Sequence, residues 1–311
     1  MKTVLFVSHR EKACGIYQFG LRVGRIFNEN TTKYKGFYIE PADKLEFRIK
    51  VNEIKPDIII YNYIPETMPW FGGYELNYCR GKGIKQGLLV HNVGYAHVFD
   101  FYLHQIPEYP ENGNNYPLLR PLFKWDKTLP PNDKLTIGTF GFGFKVKRFQ
   151  DICRLVNAQI DEPIDLKMHM TLSHFIPNKN ELEEIKAECR SIISKPNINL
   201  IFSENFLDDE GLLTFLAGND LNIYLYQYYD NYNGISGVTD YFLSVRKPIA
   251  ICKSSMFSHI NRVKPSICVE ETPLKEIIKN GFAPLQSLYD AWSHEKFTAH
   301  IENVLAKTLS N

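Results

Sequence analysis

The sequence predicts an α/β fold in which two doubly wound halves each carry a parallel sheet. Short apolar runs rich in Val, Ile, Leu and Phe recur along the chain, as expected for strands that are buried on both faces of a sheet. Segments with a helical pattern lie between these runs, and this alternation is typical of doubly wound units. One stretch rich in Pro, Asn and Gly, residues 108–133, interrupts the alternation and is interpreted as a connection between two domains.

The expected elements follow from these patterns. The predicted strands are residues 3–8, 36–39, 57–61, 86–91, 135–140, 165–170, 198–202, 221–225, 248–252 and 266–269. The predicted helices are residues 17–28, 150–158, 179–194, 208–217 and 238–244. Residues 285–309 have apolar side chains at helical spacing. We therefore expect one domain over residues 1–125, a second over residues 126–285, and a helical tail over residues 286–311.

Composition excludes several classes of protein. The net charge is +1, so a nucleic-acid partner is not expected. No apolar run is long enough to span a bilayer, and the run at the N-terminus is too short for a signal peptide. The six cysteines form no C-x-x-C pair, and scattered single thiols fit a reducing compartment. We expect a cytoplasmic protein without a transmembrane segment, for which peripheral membrane contact stays open.

Candidate site residues of the first half lie where predicted strands end. Ligands of open α/β sheets bind beyond the carboxyl ends of the strands. Gly15, at the start of the first helix, would let the backbone approach a ligand, or would be a simple turn glycine. His91 ends a strand and would contact substrate, or would make a structural hydrogen bond. No acidic residue stands at ligand spacing from His91, so a metal site is not expected.

Basic residues follow the first strand of the second half. Lys145, Lys147 and Arg148 lie in the loop after residues 135–140. Cations at the carboxyl end of a strand would neutralise a diphosphate. The alternative is an ordinary solvated basic loop.

The most informative stretch is residues 231–241, a polar loop containing glycine that leads into a short apolar helix. A helix that opens at Ser236 and Gly237 points unpaired backbone N–H groups into the loop, and such an end binds anions such as phosphate. The alternative is a common helix start with Ser236 as its N-cap.

Taken in order, these landmarks resemble the motifs of retaining GT-B glycosyltransferases, in the family that includes sucrose synthase and bacterial mannosyltransferases. The first strand with Gly15, the sequence KPDII at residues 55–59, VHN at residues 90–92 and IGTFG at residues 137–141 are similar to family segments. Residues 199–226 and 233–249 are similar to its donor-binding segments. The resemblance covers most of the chain and implies two Rossmann-like domains that face a cleft.

The resemblance also implies an activity. The chain would be a glycosyltransferase of the hexosyltransferase type, which moves a sugar from a nucleotide-diphosphate sugar to a hydroxyl of a glycan or small-molecule acceptor. Configuration would be retained, and neither a metal nor another cofactor would be needed. Residues 1–125 would hold the acceptor, residues 126–285 the donor, and the tail would pack back on the first domain.

Residue roles come from the same resemblance. Lys145 and Lys147, with the helix start at Ser236, would stabilise the negative charge of the departing nucleoside diphosphate. His91 would contact the sugar or the acceptor, and the backbone of residues 205–207 would hold the base. The expected catalytic residues are His91, Lys145 and Lys147, and the expected donor-binding residues are Gly15, Asn205, Phe206, Leu207, Asn233, Ser236, Gly237, Val238 and Asp240.

Two departures from the family pattern keep other functions open. The family's two glutamates correspond to Asn233 and Tyr241, and a tyrosine cannot replace a carboxylate. Asp240 would do so if the helix were shifted by one residue. A non-catalytic nucleotide-sugar-binding protein is therefore one alternative. A sugar-nucleotide epimerase is another, although the sequence offers no clear pair of carboxylates for proton abstraction.

Overall fold

The computed structural model describes residues 1–12, 14–91, 97–173, 177–227 and 234–310. The chain divides into two compact units. Unit 1 comprises Met1–Pro121 and Ala291–Asn311, and unit 2 comprises Leu122–Asp290.

Within the described residues, unit 1 is built on a six-stranded parallel sheet in the order β2-β1-β3-β4-β5-β6. Its strands are β1 (Lys2–Ser8), β2 (Tyr34–Ile39), β3 (Ile58–Asn62), β4 (Lys85–Val90), β5 (Phe101–His104) and β6 (Asn115–Pro117). The helices between them are α1 (Gly15–Asn30), α2 (Lys44–Ile54) and α3 (Gly73–Arg80).

Unit 2 is built on a second parallel sheet, five-stranded in the described part of the chain, in the order β11-β10-β7-β8-β9. Its strands are β7 (Leu135–Phe142), β8 (Ile164–Thr171), β9 (Ile198–Ser203), β10 (Leu221–Tyr224) and β11 (Ile249–Ile251). Its helices are α4 (Phe149–Gln159), α5 (Lys179–Ile192), α6 (Asp209–Ala217), α7 (Val238–Ser244), α8 (Leu274–Asn280) and α9 (Gln286–Ala291).

The last helix, α10 (His294–Ser310), belongs to unit 1 and packs against α1. Its buried residues Phe297, Ile301 and Leu305 recur every four positions and so lie on one face of the helix. They share an apolar core with Val4 and Phe6 of β1. The intervening β1 residues belong to a second core on the opposite face of the sheet. Covered faces on both sides explain why β1 is apolar without interruption.

The predicted α/β fold class with two parallel sheets is confirmed. The strand predicted at residues 266–269 is wrong, because only an isolated bridge between Ile251 and Cys268 forms there. The sequence patterns missed β5 and β6. Strand β6 lies inside the segment that was interpreted as a connection, and its Pro117 is tolerated because β6 is the edge strand of the sheet.

In both sheets the strand order reverses beside the first strand of the unit. The chain moves from β1 to β2 on one side and then to β3 on the other, so the reversal in unit 1 lies between β1 and β3. In unit 2 it lies between β7 and β10. Open α/β sheets bind their ligands beyond the carboxyl ends of the strands at such reversals. These two positions are therefore where candidate sites are expected.

Candidate functional sites of the two units

A hydrogen-bonded amide joins the two strands at the reversal in unit 1. Asn62, the last residue of β3, donates through Nδ2 to Oγ of Ser8 at 2.8 Å and to the carbonyl oxygen of Ile16 at 2.9 Å. Ser8 ends β1, and Ile16 lies in the first turn of α1. Gly20 of the same helix approaches so closely that a Cβ atom there would lie 2.2 Å from Cγ of Asn62. The Asn62 side chain is thus fixed from three sides.

His91, which follows β4, is bonded to the same amide. Its Nε2 lies 2.6 Å from Oδ1 of Asn62. Since the amide nitrogen of Asn62 donates to a carbonyl, the oxygen must face His91, and His91 therefore donates from Nε2. Burial, with His9 and Arg120 nearby, lowers the pKa of His91 to about 3. Near neutral pH the ring is uncharged and keeps its lone pair on Nδ1.

Two buried basic side chains lie beside His91, and sequence reasoning missed both. His9 is 3% exposed, and its Nδ1 accepts from the N–H of Glu11 at 3.2 Å, which leaves the proton on Nε2. Within the described residues Nε2 has no hydrogen-bond partner. Arg120 is fully buried, donates to the carbonyl oxygen of Gln105 at 2.9 Å, and lies over the ring of Phe19.

The sequence contained a signal for His9 and none for Arg120. The position of His9 directly after a buried strand could have marked it. No local signal marked Arg120, because the sequence around it was interpreted as a connecting segment.

Gly15 is the first residue of α1 and is exposed. No atom of the described residues lies within 4 Å of the position that a Cβ atom would take there. Cys14, the N-cap residue, makes no side-chain capping bond. The backbone at Gly15 is therefore open to a ligand, and its role in donor binding stays a prediction.

In unit 2, a lysine and a tyrosine meet at the strand reversal. A short 3-10 helix, Lys145–Lys147, follows β7. The side chain of Lys147 passes Gly141, where a Cβ atom would lie 3.8 Å from its Cγ. The Nζ atom of Lys147 then lies 3.7 Å from the centre of the Tyr226 ring. Tyr226 follows β10, so this contact connects the two strands between which the order reverses.

The three basic residues of this loop differ in their partners. Nζ of Lys145 lies 3.0 Å from a carboxylate oxygen of Glu184, and Nε of Arg148 lies 2.5 Å from one of Asp151. Lys147 makes no ion pair with any carboxylate of the described residues. Of the three, Lys147 is therefore the cation that an anionic ligand would meet without competition.

The start of α7 has fewer backbone N–H groups available to an anion than the sequence predicted. The N–H of Ser236 donates to the carbonyl oxygen of Met256 at 3.0 Å, so it is not directed at a ligand. Ser236 is also not the N-cap residue, which is Gly237, and no side chain of the described residues caps this helix. Gly237 is exposed and Val238 is half-buried. Asn233 lies outside the described residues.

Tyr241, which the sequence resemblance sets against a glutamate of the family, packs among the aromatic residues of unit 2. Its ring centre lies 4.6 Å from that of Phe123 and 5.8 Å from that of Phe140. Its hydroxyl donates to Oδ1 of Asp209 at 2.6 Å. Asp240, the neighbouring residue, is fully buried.

Residues 205–207 follow β9, the edge strand of the sheet. Phe206 is 67% exposed, Asn205 is exposed, and Leu207 is half-buried. Strand β9 lies two strands from β7, which corresponds to about 10 Å across a sheet. A ligand that contacts both Phe206 and Lys147 must therefore be extended.

No group of three or more His, Cys, Asp and Glu side chains among the described residues is arranged to hold a metal ion. None of the described helices is long and apolar enough to cross a membrane.

Comparison with known proteins gives matches at the level of structure only. No protein-family model and no curated protein sequence matches the chain. Anabaena HepE in complex with UDP-glucose is similar, with 11% identity over 100% of both chains and a TM-score of 0.59. Sucrose-phosphate synthase from Thermosynechococcus elongatus has 9% identity over 100% of both chains and a TM-score of 0.66. A glycosyltransferase from Rickettsia africae has 10% identity over 100% of this chain and 99% of its own, with a TM-score of 0.66. The chain thus has the GT-B fold of these glycosyltransferases.

Proposed function

We propose that this chain transfers a hexosyl group from a nucleotide-diphosphate sugar to an acceptor hydroxyl, with retention of configuration and without a metal ion. The acceptor is a glycan or a small molecule, and the reaction belongs to glycan biosynthesis. Structures similar to this chain include complexes with UDP-glucose and with UDP and glucose, and this donor chemistry is extended here to the chain.

The observation that carries the proposal is the position of Lys147. Its ammonium group lies at the strand reversal of unit 2 and has no carboxylate partner among the described residues. A cation so placed is suited to a phosphate group, because ligands of such sheets bind at this point.

The chemistry requires charge stabilisation at the leaving group. The bond between the anomeric carbon and the phosphate oxygen breaks, and a bond from the acceptor oxygen to the same carbon forms. The acceptor proton ends on the departing nucleoside diphosphate. Lys147 stabilises the negative charge that develops on the diphosphate as this bond breaks. Lys145 has a smaller part in this, since its charge is already paired with Glu184.

The remaining donor-binding residues follow from their places at strand and helix ends. The exposed backbone at Gly15 and at Gly237 is open to the diphosphate and the sugar. Phe206 offers an exposed ring on which a nucleobase stacks, with the neighbouring backbone available for hydrogen bonds.

His91 acts on the sugar or on the acceptor, and not on the diphosphate. Its neutral ring is held by Asn62 through Nε2 at the carboxyl end of β4, and ligands of such sheets bind beyond the carboxyl ends of the strands. Because its pKa is far below neutrality, His91 does not serve as a general acid at neutral pH.

One observation favours a second function, binding of a nucleotide sugar without transfer. The family's ribose-binding glutamate is replaced by Tyr241, which packs against two phenylalanines and bonds Asp209. Such a side chain is not available to a ribose. A protein that binds the donor and turns over none of it would fit this replacement.

Ligand binding and product analysis test the proposal. The first step is a thermal-shift screen of UDP, GDP, ADP and their sugars, because a ligand that binds only the folded state raises its apparent stability. The sugar nucleotide that binds is then incubated with candidate acceptors, in the presence and absence of EDTA. Release of nucleoside diphosphate, with a retained anomer seen by NMR, supports the transferase. Binding with no turnover of any acceptor favours the non-catalytic binder.

The proposal places this reaction in the cytoplasm. All six cysteines are unpaired and buried, as suits a reducing compartment. Detection of the protein by immunoblotting of separated soluble and membrane fractions of cells would check this assignment.

A further inference from the structure

The Tyr226 ring beneath Lys147 is held in place by its surroundings. Tyr226 is 4% exposed, and its ring centre lies 5.0 Å from that of Phe257. Its backbone carbonyl accepts from Sγ of Cys252 at 3.1 Å, which ties it to the end of β11. The ring is therefore a fixed surface and not a side chain that turns freely in solvent.

The loop that carries Lys147 is tied to the same surface. The N–H of Gln227 donates to the carbonyl oxygen of Val146 at 2.9 Å. The aliphatic part of Lys147 passes Gly141, where a Cβ atom would make ordinary van der Waals contact with Cγ of Lys147 at 3.8 Å. Backbone and side chain together bring the ammonium group over the ring at 3.7 Å.

An aromatic ring and a carboxylate hold a lysine with different consequences. Glu184 holds Lys145 and also cancels its charge. A ring attracts the ammonium through its quadrupole, carries no net charge, and takes none of the three N–H groups into a conventional hydrogen bond. Lys147 is therefore oriented while its charge and its N–H groups remain available to an anion.

We propose that Tyr226 is a positioning residue that acts through Lys147, by holding the ammonium group at the carboxyl end of β7 without neutralising it. The ligand for which it does so is the diphosphate of the sugar donor. This inference rests on the proposed function, and it adds a residue to which no role had been assigned from the sequence.

Stepwise changes in the electron density of the ring at position 226 test the proposal, because they leave the shape of the ring nearly unchanged. Tyr226→Phe keeps the ring and should change the dissociation constant of UDP by less than about twofold, whereas Tyr226→Leu should raise it by about tenfold. Mono-, di- and trifluorinated phenylalanine at position 226 should weaken binding step by step, since fluorine withdraws electron density from the ring face. The melting temperature should stay nearly constant along this series. If Tyr226→Leu does not fold, the fluorinated series still tests whether the ring at position 226 affects UDP binding.

A double-mutant cycle asks whether Tyr226 acts through Lys147. In a Lys147→Ala background, ring fluorination should no longer change UDP affinity, because the cation that the ring holds is gone. An equal effect in both backgrounds would overturn the proposal. So would equal affinities along the fluorinated series, or a loss in Tyr226→Phe as large as that in Lys147→Ala, which would assign the effect to the hydroxyl.

A second probe separates this inference from the proposed function. Each variant is titrated with UDP, GDP, ADP and inorganic pyrophosphate. If pyrophosphate affinity falls with fluorination while no nucleotide binds the wild type, the role of Tyr226 stands and the proposed function fails. If neither nucleotides nor pyrophosphate bind the wild type, both are rejected.

Discussion

Nε2 of His91 lies 2.6 Å from Oδ1 of Asn62, and this hydrogen bond joins the ends of β4 and β3. Asn62 in turn bonds Ser8 at the end of β1. The strand reversal of unit 1 is thus spanned by one polar network, in which His91 is uncharged. The bond gives His91 a structural role, and its position at the carboxyl end of β4 gives it a predicted second role in contacting the sugar or the acceptor.

Two substitutions at His91 separate these roles. His91→Ala removes both, and we expect nearly unchanged nucleotide affinity, a lowered melting temperature, and transfer reduced by about 10²-fold. In His91→Gln, the side-chain amide nitrogen of the glutamine takes the place of Nε2 and keeps the hydrogen bond to Asn62. No atom of the glutamine takes the place of Nδ1. His91→Gln should therefore melt close to the wild type and still lose transfer. Wild-type turnover in His91→Gln would leave only the structural role.

Acid should destabilise the chain through His91. Burial lowers its pKa from 6.5 to about 3 in the folded state, so between these values the unfolded chain binds more protons. The contribution of His91 is complete above pH 6.5 and is lost as pH falls toward 3, with a slope of at most about 1.4 kcal/mol per pH unit. Urea unfolding between pH 7.5 and 4.5 measures this. His91→Gln should lose less stability than the wild type, and parallel curves would contradict the assignment.

Lys147 should contribute more than Lys145 to the affinity for a nucleoside diphosphate. We expect Lys147→Ala to weaken UDP binding by about 1.5–3 kcal/mol, because an unpaired cation in a partly desolvated site is lost. Lys145→Ala is the matched control and should weaken UDP binding less than Lys147→Ala does, since the Lys145 ammonium is exposed and already paired with Glu184. Calorimetric titration of both variants gives the comparison. Equal losses would remove the distinction that the structure draws between them.

Restoring the family's glutamate at position 241 should not restore a ribose contact. Tyr241→Glu removes a ring that packs against Phe123 and Phe140, and we expect a loss of about 2–3 kcal/mol in the free energy of unfolding. Tyr241→Phe keeps the ring and loses only the bond to Asp209, at about 1 kcal/mol. Denaturant unfolding checks both values. A stable Tyr241→Glu variant with tighter UDP binding would show that the side chain does reach the ribose.

The close approach of α1 to Asn62 predicts a large effect of a small change. A Cβ atom at Gly20 would lie 2.2 Å from Cγ of Asn62, so Gly20→Ala must displace that side chain from its partners. We expect a loss of about 1–3 kcal/mol in unfolding free energy, together with reduced transfer. Gly73→Ala is the control, because no atom in the described part of the chain lies within 4 Å of its Cβ position and because Gly73 also lies in a helix. Equal stabilities of the two variants would contradict the predicted clash.

Local sequence patterns determined most of the fold. The apolar run of β1 predicted a strand buried on both faces, because hydrophobic periodicity depends only on neighbouring residues. Helix α7 was predicted with the bounds that it has, Val238–Ser244. The sequence likewise predicted that Lys147 follows a buried strand. The fold class and the place of the basic loop were therefore local properties.

The tertiary structure decided which of these residues are available for chemistry. Glu184, which neutralises Lys145, comes from α5, while Tyr226, which holds Lys147 without neutralising it, comes from the end of β10. Asn62 and His91 likewise meet only because β3 and β4 pair in one sheet. No local pattern encodes contacts between residues that are so far apart in sequence. Their geometry arises from strand pairing and packing, so the sequence alone determined where candidate residues stand, and the fold determined which partners they have.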